Sequence, residues 1–556
     1  YEQQNVNMFC RGAERRIVVQ ESFFIIYALG KAFEKTGRYK VLFKEELFMD
    51  IILSLVPILI VLIGIIVLNK PSSIVAPIAF VVTFLIGMFY FGVGIDVLGM
   101  DAWKGVVAGT KVVYMIMAAF CILNMLLDTG AMDKIKELII SLTDDKRKHV
   151  IIVAFGFGAF LEGCAGAGTP AAVCAPLLMG LGISPVSAVL GSLIANGIWS
   201  SWGAAGLTCS GGFEAMVQAG RGATYSWPAL DNMSVTEIYN MLSMATARVN
   251  AVGALLCPWV ITAVCYGKKG FKGLVPFLLV NSVVGAGAML LVTHTIGFEF
   301  TSIISGIIIV AANFIYLKAA KPATPAEFVT APPETKSDMP AWKAVFTYVL
   351  LLIALPVMRF SIDGTWLFKR GFAVWIGTTI LGVCFIGSIV LGYTKNFHKC
   401  VAVSFKSVIG ALIAMAFLSG MAEAMKSAGM LSILAKALAD VVGNGYPAAA
   451  VFIGCLGSFM TGTTLGSNIM FHPMHIEAAQ ILGISPAYCA ALNSSGGALG
   501  NMICPNNVIA VCATVNFQNQ EGIIMRKVIP ALAILMIGEM IAAMLYVFVF
   551  FPGYYM

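Results

Sequence analysis

The chain has 556 residues, 59% of them hydrophobic and only 11% charged, with a mean hydropathy of +0.90. Soluble domains carry roughly 25% charged residues, so this balance excludes a soluble globular protein and makes the chain an all-α polytopic membrane protein. The net charge of +7 is scattered over short loops as topology signals and does not point to nucleic acid, while the 13 cysteines lie mostly in apolar segments without a C-x-x-C pair, giving neither a disulfide frame nor a metal site.

Residues 1–48 are polar and mixed in charge, and their apolar run at 23–29 is too short to span. Membrane character begins right after Met49-Asp50. Met49 is therefore the expected natural start, with 1–48 a dispensable extension. The other reading is a juxtamembrane helix. Two apolar helices follow at 51–69 and 74–92, each close to the ~20 residues a crossing needs. Residues 93–105 read as a surface stretch, 106–127 as a third span, and 132–147 as an amphipathic helix ending in a charged run, Asp144 to Lys148.

Next comes a broken segment, 150–180. Its centre, Phe160-Leu161-Glu162-Gly163-Cys164-Ala165-Gly166-Ala167-Gly168-Thr169-Pro170, is an apolar helix that stops at glycines and restarts. Thr169 can cap the second arm and Pro170 can begin it. Broken backbone at membrane depth is tolerated only inside protein or against a water-filled cavity, and in transporters it marks the substrate site. The reading is a re-entrant hairpin. A span at 185–207, a polar excursion at 209–243 and spans at 246–266, 273–294 and 301–319 complete the first half. Residues 320–341 are rich in Pro, Ala and Thr and read as the linker between halves 49–319 and 342–556.

The second half repeats the pattern. Spans fall at 342–358, 371–393 and 404–425, an amphipathic helix at 430–442, a second hairpin at 447–481, and spans at 486–503 and 529–550. Gly158-Ala159-Phe160 and Gly163 recur as Gly457-Ser458-Phe459 and Gly462, displaced by 299, which sets Thr169 opposite Asn468. Leu181-Gly182-Ile183-Ser184-Pro185 recurs as Leu482-Gly483-Ile484-Ser485-Pro486, displaced by 301. Seven crossings between the hairpins put them on opposite faces. The expected architecture is about 12–14 membrane segments in two inverted-topology repeats, each with a re-entrant hairpin.

These motifs resemble the lactate permease family of bacterial organic-anion symporters. The run Phe157 to Gly163, then Ala165-Gly166 and Gly168-Thr169-Pro170, follows the family's hairpin, as do Asn196, Gly203-Ala204 and Gly206. In the second half the matching residues are Ser467-Asn468, Met470-Phe471, Glu477-Ala478-Ala479-Gln480, Gly496-Gly497-Ala498, Gly500-Asn501-Met502-Ile503 and Asn507-Val508. The resemblance implies proton-coupled uptake of lactate, glycolate or a related 2-hydroxy acid across a bacterial plasma membrane. Three departures lie near the hairpins. Ala167 stands where the family usually has Phe. Gly197 to Trp202 replaces a Thr-Ala-Pro run, and His472-Pro473-Met474-His475 replaces Gly-Leu-Phe-Gln. Organic-anion transport survives them; the identity of the anion does not.

The coupling candidates are Glu162 and His472. An acid at membrane depth costs ~3 kcal/mol unless paired or protonated, so Glu162 is either a proton carrier or a structural acid bonded to the broken backbone. His472 and His475 share a helix face, but a metal would need further ligands; a proton relay or a hydrogen-bonding role suits them better. The substrate-binding candidates are the backbone at Gly166 and Gly168 and the side chains of Thr169, Asn196, Ser467, Asn468, Asn493 and Asn501. Their plainer reading is interhelical hydrogen bonding. Lys111, Arg359, Arg370 and Lys406 could each supply a fixed positive charge, but most lie near expected membrane ends, where snorkelling is the default explanation. No G-x-x-x-x-G-K-[ST] loop is present, which disfavours ATP-driven transport. No paired acids or nucleophile–base set points to an enzyme, and no cofactor is expected. The expected partners are a small organic anion, its proton, the bilayer and, as assembly, a homodimer. The alternatives are a sodium-coupled carboxylate carrier and, from another class, a small-anion channel.

Overall fold

The computed structural model describes residues 45–555 apart from 65–67, 69, 167, 221–226, 321–322, 331–337, 362–371, 516 and 518–519. The expectations for residues 1–44, Ala167 and Arg370 fall outside these. Helix follows helix along the chain, as a membrane-spanning backbone must satisfy its own hydrogen bonds. The first half holds α1 (Glu45–Leu62), α2 (Ser72–Phe89), α3 (Ile95–Asp128) and the amphipathic α4 (Ala131–Ile140). The first hairpin is entered through a turn, Lys146–Val150, and a π-helical stretch, Ile151–Phe157; its arms are α5 (Gly158–Ala165) and α6 (Thr169–Gly180). Then come α7 (Pro185–Trp199), α8 (Gly203–Gly220), α9 (Val235–Tyr266), α10 (Val275–Thr295) and α11 (Thr301–Ala320). The second half holds α12 (Ala341–Ser361), α13 (Phe372–Val390), α14 (Phe397–Ser407), α15 (Ile409–Ser427) and α16 (Met430–Val442). Its hairpin arms are α17 (Tyr446–Thr461) and α18 (Thr464–Leu482), followed by α19 (Pro486–Gly500), α20 (Pro505–Thr514) and α21 (Glu521–Leu545).

Among the described residues, four helices reach the length and apolarity of a span on their own, at Thr236–Tyr266, Val275–Thr295, Phe298–Ala320 and Glu521–Phe550. The other apolar helices are shorter or interrupted. Three sequence expectations are corrected. Residues 95–105 belong to α3, because Gly94 supplies the cap and Asp101 and Lys104 pair on one helical face at 2.7 Å. Residues 209–220, expected in a polar excursion, belong to α8, which packs along α18. The spans expected at 185–207 and 486–503 break at 200–202 and 501–504, where Pro505 starts a new helix.

The order of elements recurs. α7 and α19 are both 15 residues long, are displaced by 301, begin with proline and are capped by serine. Ser184 accepts from Ser187 N and Ser485 from Tyr488 N. Contacts between the halves are reciprocal. α2 packs on α15 as α13 packs on α3, α1 on α16 as α12 on α4, and α8 on α18 as α20 on α6.

Three residues of the charged run after α4, Asp145, Arg147 and Lys148, are buried. Asp145 is fully buried, caps the following turn and pairs with Arg147 in two bonds of 2.9 and 2.7 Å. Lys148 Nζ lies 3.4 Å from the same carboxylate. Arg147 also donates to Gly270 O and Lys272 O and stacks over Phe328 at 4.1 Å. The first hairpin's base is thus tied to the α9–α10 loop and to the linker. Asp145→Ala strands two buried cations, and removing one partner of such a cluster costs about 3–5 kcal/mol. The expected result is a clear fall in the thermal midpoint in detergent. An unchanged midpoint would show that water reaches the cluster.

Candidate functional site

Each hairpin doubles back on itself. A straight helix would hold Val153 and Cys174 about 30 Å apart at 1.5 Å per residue, yet Cys174 Sγ donates to Val153 O at 3.3 Å. In the second hairpin Ser467 Oγ reaches Gly454 O at 2.9 Å. The turns need left-handed backbone. Gly166 has φ 65°, Gly168 φ 76° and Gly462 φ 83°, a region glycine enters without a Cβ penalty.

The caps differ from expectation. Gly168 occupies the cap position before α6, with Thr169 inside the helix. Thr463 caps α18 by accepting from Gly466 N at 2.9 Å; Ser467 and Asn468 lie a turn further on. The break in the second half therefore comes earlier than the pairing of Thr169 with Asn468 implies. Gly163, matched to Gly462 by string, stays helical and serves contact instead. A Cβ there would sit 2.4 Å from Ile303.

The two turns converge on one short segment. At Gly168 a Cβ would come within 2.3 Å of Asn507 Oδ1, and at Gly462 within 2.0 Å of Asn506 Nδ2. Asn506 and Asn507 open α20, so a third helix N-terminus stands between the two hairpin turns. Asn507 Nδ2 donates to Asn501, to its O at 2.9 Å and its Oδ1 at 2.5 Å. Asn506 is buried, and neither its Nδ2 nor its Oδ1 has a hydrogen-bond partner among the described residues. Most buried amides are paired, so such a group calls for an explanation. Gly166 abuts the break before α8, where a Cβ would lie 3.0 Å from Ala204 N and where Ala204 itself takes φ 52°.

A second polar cluster lies along α18. Asn468 Nδ2 donates to Ser494 Oγ (3.1 Å) and Thr208 O (3.3 Å), and Asn493 Nδ2 donates to Asn468 Oδ1 (3.1 Å). Thr464 Oγ1 and Ser200 Oγ are 3.0 Å apart. His472 is buried here with its ring stacked on Phe213 at 5.6 Å, and His475 Nδ1 meets Tyr446 Oη at 2.7 Å. Among the described residues no group of three or more His, Cys, Asp or Glu forms a metal site.

Glu162 connects the first hairpin to α7. It is buried, its Oε2 accepts from Asn196 Nδ2 at 2.6 Å, and its Oε1 lies 2.6 Å from where a Cβ on Gly203 would be. It has no ion-pair partner among the described residues. Lys406 is exposed and Lys111 half-buried. A groove of about 690 Å³ between the first hairpin, α4, α11 and α12, lined by Phe157, Phe160, Phe314 and Tyr348, is too apolar to suit an anion.

The structure thus brings Gly166, Gly168 and Asn501 to the meeting point of the turns. It places Asn468, Asn493 and His472 along α18, and Asn196 on Glu162. Ser467 holds the hairpin together. Sequence reasoning missed Asn506, which Pro505, a helix-starting residue just after Asn501, signals. It also missed Glu539, an acid amid an apolar run.

The L-lactate permease family profile matches residues 50–406 and 366–550. An L-lactate permease of Streptococcus iniae is 28% identical over 476 residues, covering 81% of this chain and 95% of that protein. An L-lactate permease of Escherichia coli (strain K12) is 28% identical over 475 residues, covering 75% and 80%. The glycolate permease GlcA of the same strain is 26% identical over 536 residues, covering 85% and 91%. Among solved structures, the YdaH transporter of Alcanivorax borkumensis has a TM-score of 0.31 at 15% identity, covering 80% of this chain and 86% of that one; at that distance it has no bearing on the arrangement of the spans.

Proposed function

Because this chain belongs to the L-lactate permease family, we propose that it carries lactate, glycolate or a close 2-hydroxy monocarboxylate across a bacterial plasma membrane in symport with protons. The observation that carries the reading is Asn506, buried with both ends of its amide unpartnered where the two hairpin turns meet. A 2-hydroxy acid satisfies both ends at once. Its carboxylate accepts from Nδ2 and its hydroxyl donates to Oδ1. The helix N-termini of α6, α18 and α20 add free N–H groups and partial positive charge, which favour an anion without an arginine.

The hairpins act as re-entrant elements. The reciprocal contacts between α1–α9 and α12–α21 support two repeated halves that rock about this point. Glu162 is the proton carrier. It is buried without a cation on the hairpin whose turn reaches the site, so a charge there is costly and a proton removes the cost. Asn196 positions it, and His472, stacked on Phe213, is a lining residue. The coupling ion is read directly by uptake of radiolabelled lactate, glycolate and dicarboxylates into proteoliposomes under imposed pH and sodium gradients. Lactate and glycolate should accumulate on an inward proton gradient alone. Accumulation on sodium alone would replace the reading with a sodium-coupled carrier, and flux that stops at equilibrium would replace it with a channel.

A further inference from the structure

A second carboxyl lies at membrane depth. Glu539 stands at the middle of the apolar run 528–551 on the last span and is 1% exposed. Its Oε2 accepts from Ser495 Oγ of α19 at 2.5 Å. Its Oε1 faces Gly253 of α9, where a Cβ would lie 2.7 Å from that oxygen and 3.1 Å from Ile198 of α7. The helices packed on α21 include α7, α9, α17, α19 and α20. Their charged residues are Glu237 and Arg248, both on α9, and Arg248 is engaged with Tyr488 Oη at 3.2 Å and the Phe551 ring. The titratable group beside Glu539 is the Cys455 thiol of α17. No ion pair reaches Glu539 among the described residues. An acid so placed is costly unless neutralised, and inside membranes such residues mark proton relays.

Its position relative to Glu162 is informative. Asn196 of α7 holds Glu162, and Ile198 of α7 lies beside the Gly253–Glu539 contact. Two residues along a helix are about 200° apart, so the two carboxyls flank α7 from opposite sides. We propose that Glu539 is a second proton-carrying carboxyl of the transport cycle, across α7 from Glu162. The step is an O–H bond formed at one face and broken at the other, with the proton supplied by water and returned to it. This rests on the proton-coupled reading above. Glycine at 253 gives the carboxyl room, and Ser495 orients it.

The test uses the full chain in proteoliposomes and separates lactate exchange at zero gradient from accumulation on a pH gradient. Glu539→Gln keeps the shape and the bond from Ser495 but cannot carry a proton. Exchange should stay within about twofold of the parent while accumulation falls at least about tenfold, and Glu539→Asp should recover part of it. Ser495→Ala, which leaves the carboxyl in place, should shift the pH midpoint of accumulation. Accumulation unchanged in Glu539→Gln overturns the proposal. So does a parallel fall of exchange and accumulation in Glu539→Gln, Glu539→Asp and Ser495→Ala alike, which is the mark of a structural acid. A parent protein that accumulates no lactate on a pH gradient overturns the coupling reading and this proposal together, a failure seen before any variant is made.

Discussion

Proteoliposomes carrying Glu162→Gln should exchange lactate close to the parental rate and fail to concentrate it on a proton gradient. The glutamine side chain has the size of the acid and keeps an oxygen to accept from Asn196 Nδ2, now at 2.6 Å from the carboxylate. Packing against Gly203 is preserved, so the hairpin keeps its place. What is lost is the exchangeable proton, in a site where no cation among the described residues stabilises the charged form. Exchange reports a folded and binding-competent protein; accumulation reports coupling. Accumulation equal to the parent's would make Glu162 a structural acid bracing α5 against α7. The next residue to test would then be His472, by His472→Gln in the same assay.

The helix breaks at Gly166–Gly168 and at Gly462 were legible in the sequence because they rest on backbone chemistry. Glycine runs followed by helix starters cannot continue a span. The register between them was not legible, because glycine has two uses that look alike in a string. Gly462 supplies a φ of 83° at the turn, whereas Gly163 sits in a regular helix and lets Ile303 approach. Matching one to the other moved the expected cap to Asn468 when Thr463 fills that role. The meeting of Asn506 and Asn507 with Gly462 and Gly168 was hidden for a different reason. It joins segments from both halves, and no local pattern records it. Glu539 shows the intermediate case. An acid in an apolar run is visible in the sequence, but Ser495, Gly253 and Ile198 around it come from three other helices. The charged run at 144–148 shows the converse. Composition alone reads it as a membrane-end signal, and only the contacts of Arg147 with Gly270, Lys272 and Phe328 show that part of it is buried.

Asn506→Ala should weaken lactate binding more than any other single polar truncation on α18–α20. Losing one neutral hydrogen bond at ~1 kcal/mol and one to the carboxylate at ~2 kcal/mol corresponds to roughly a hundredfold or more in affinity. Folding should suffer little, because the amide has no partner to lose among the described residues. Gly462→Ala attacks the same point from the turn. Its φ of 83° strains any alanine, and the new methyl would fall 2.0 Å from Asn506 Nδ2. Transport should be nearly abolished, whereas Gly99→Ala on α3, with nothing within 4 Å of the added methyl, should behave as the parent. Once Asn506 is alanine the clash is gone and the strain of a positive φ remains, so Gly462→Ala should cost less there than in the parent. The concentration dependence of lactate exchange at zero gradient measures the parent and all four variants on one scale. Undiminished affinity in Asn506→Ala would move the anion to the other polar cluster. Asn468→Ala, which breaks the links to Ser494 and Asn493, would then carry the loss instead.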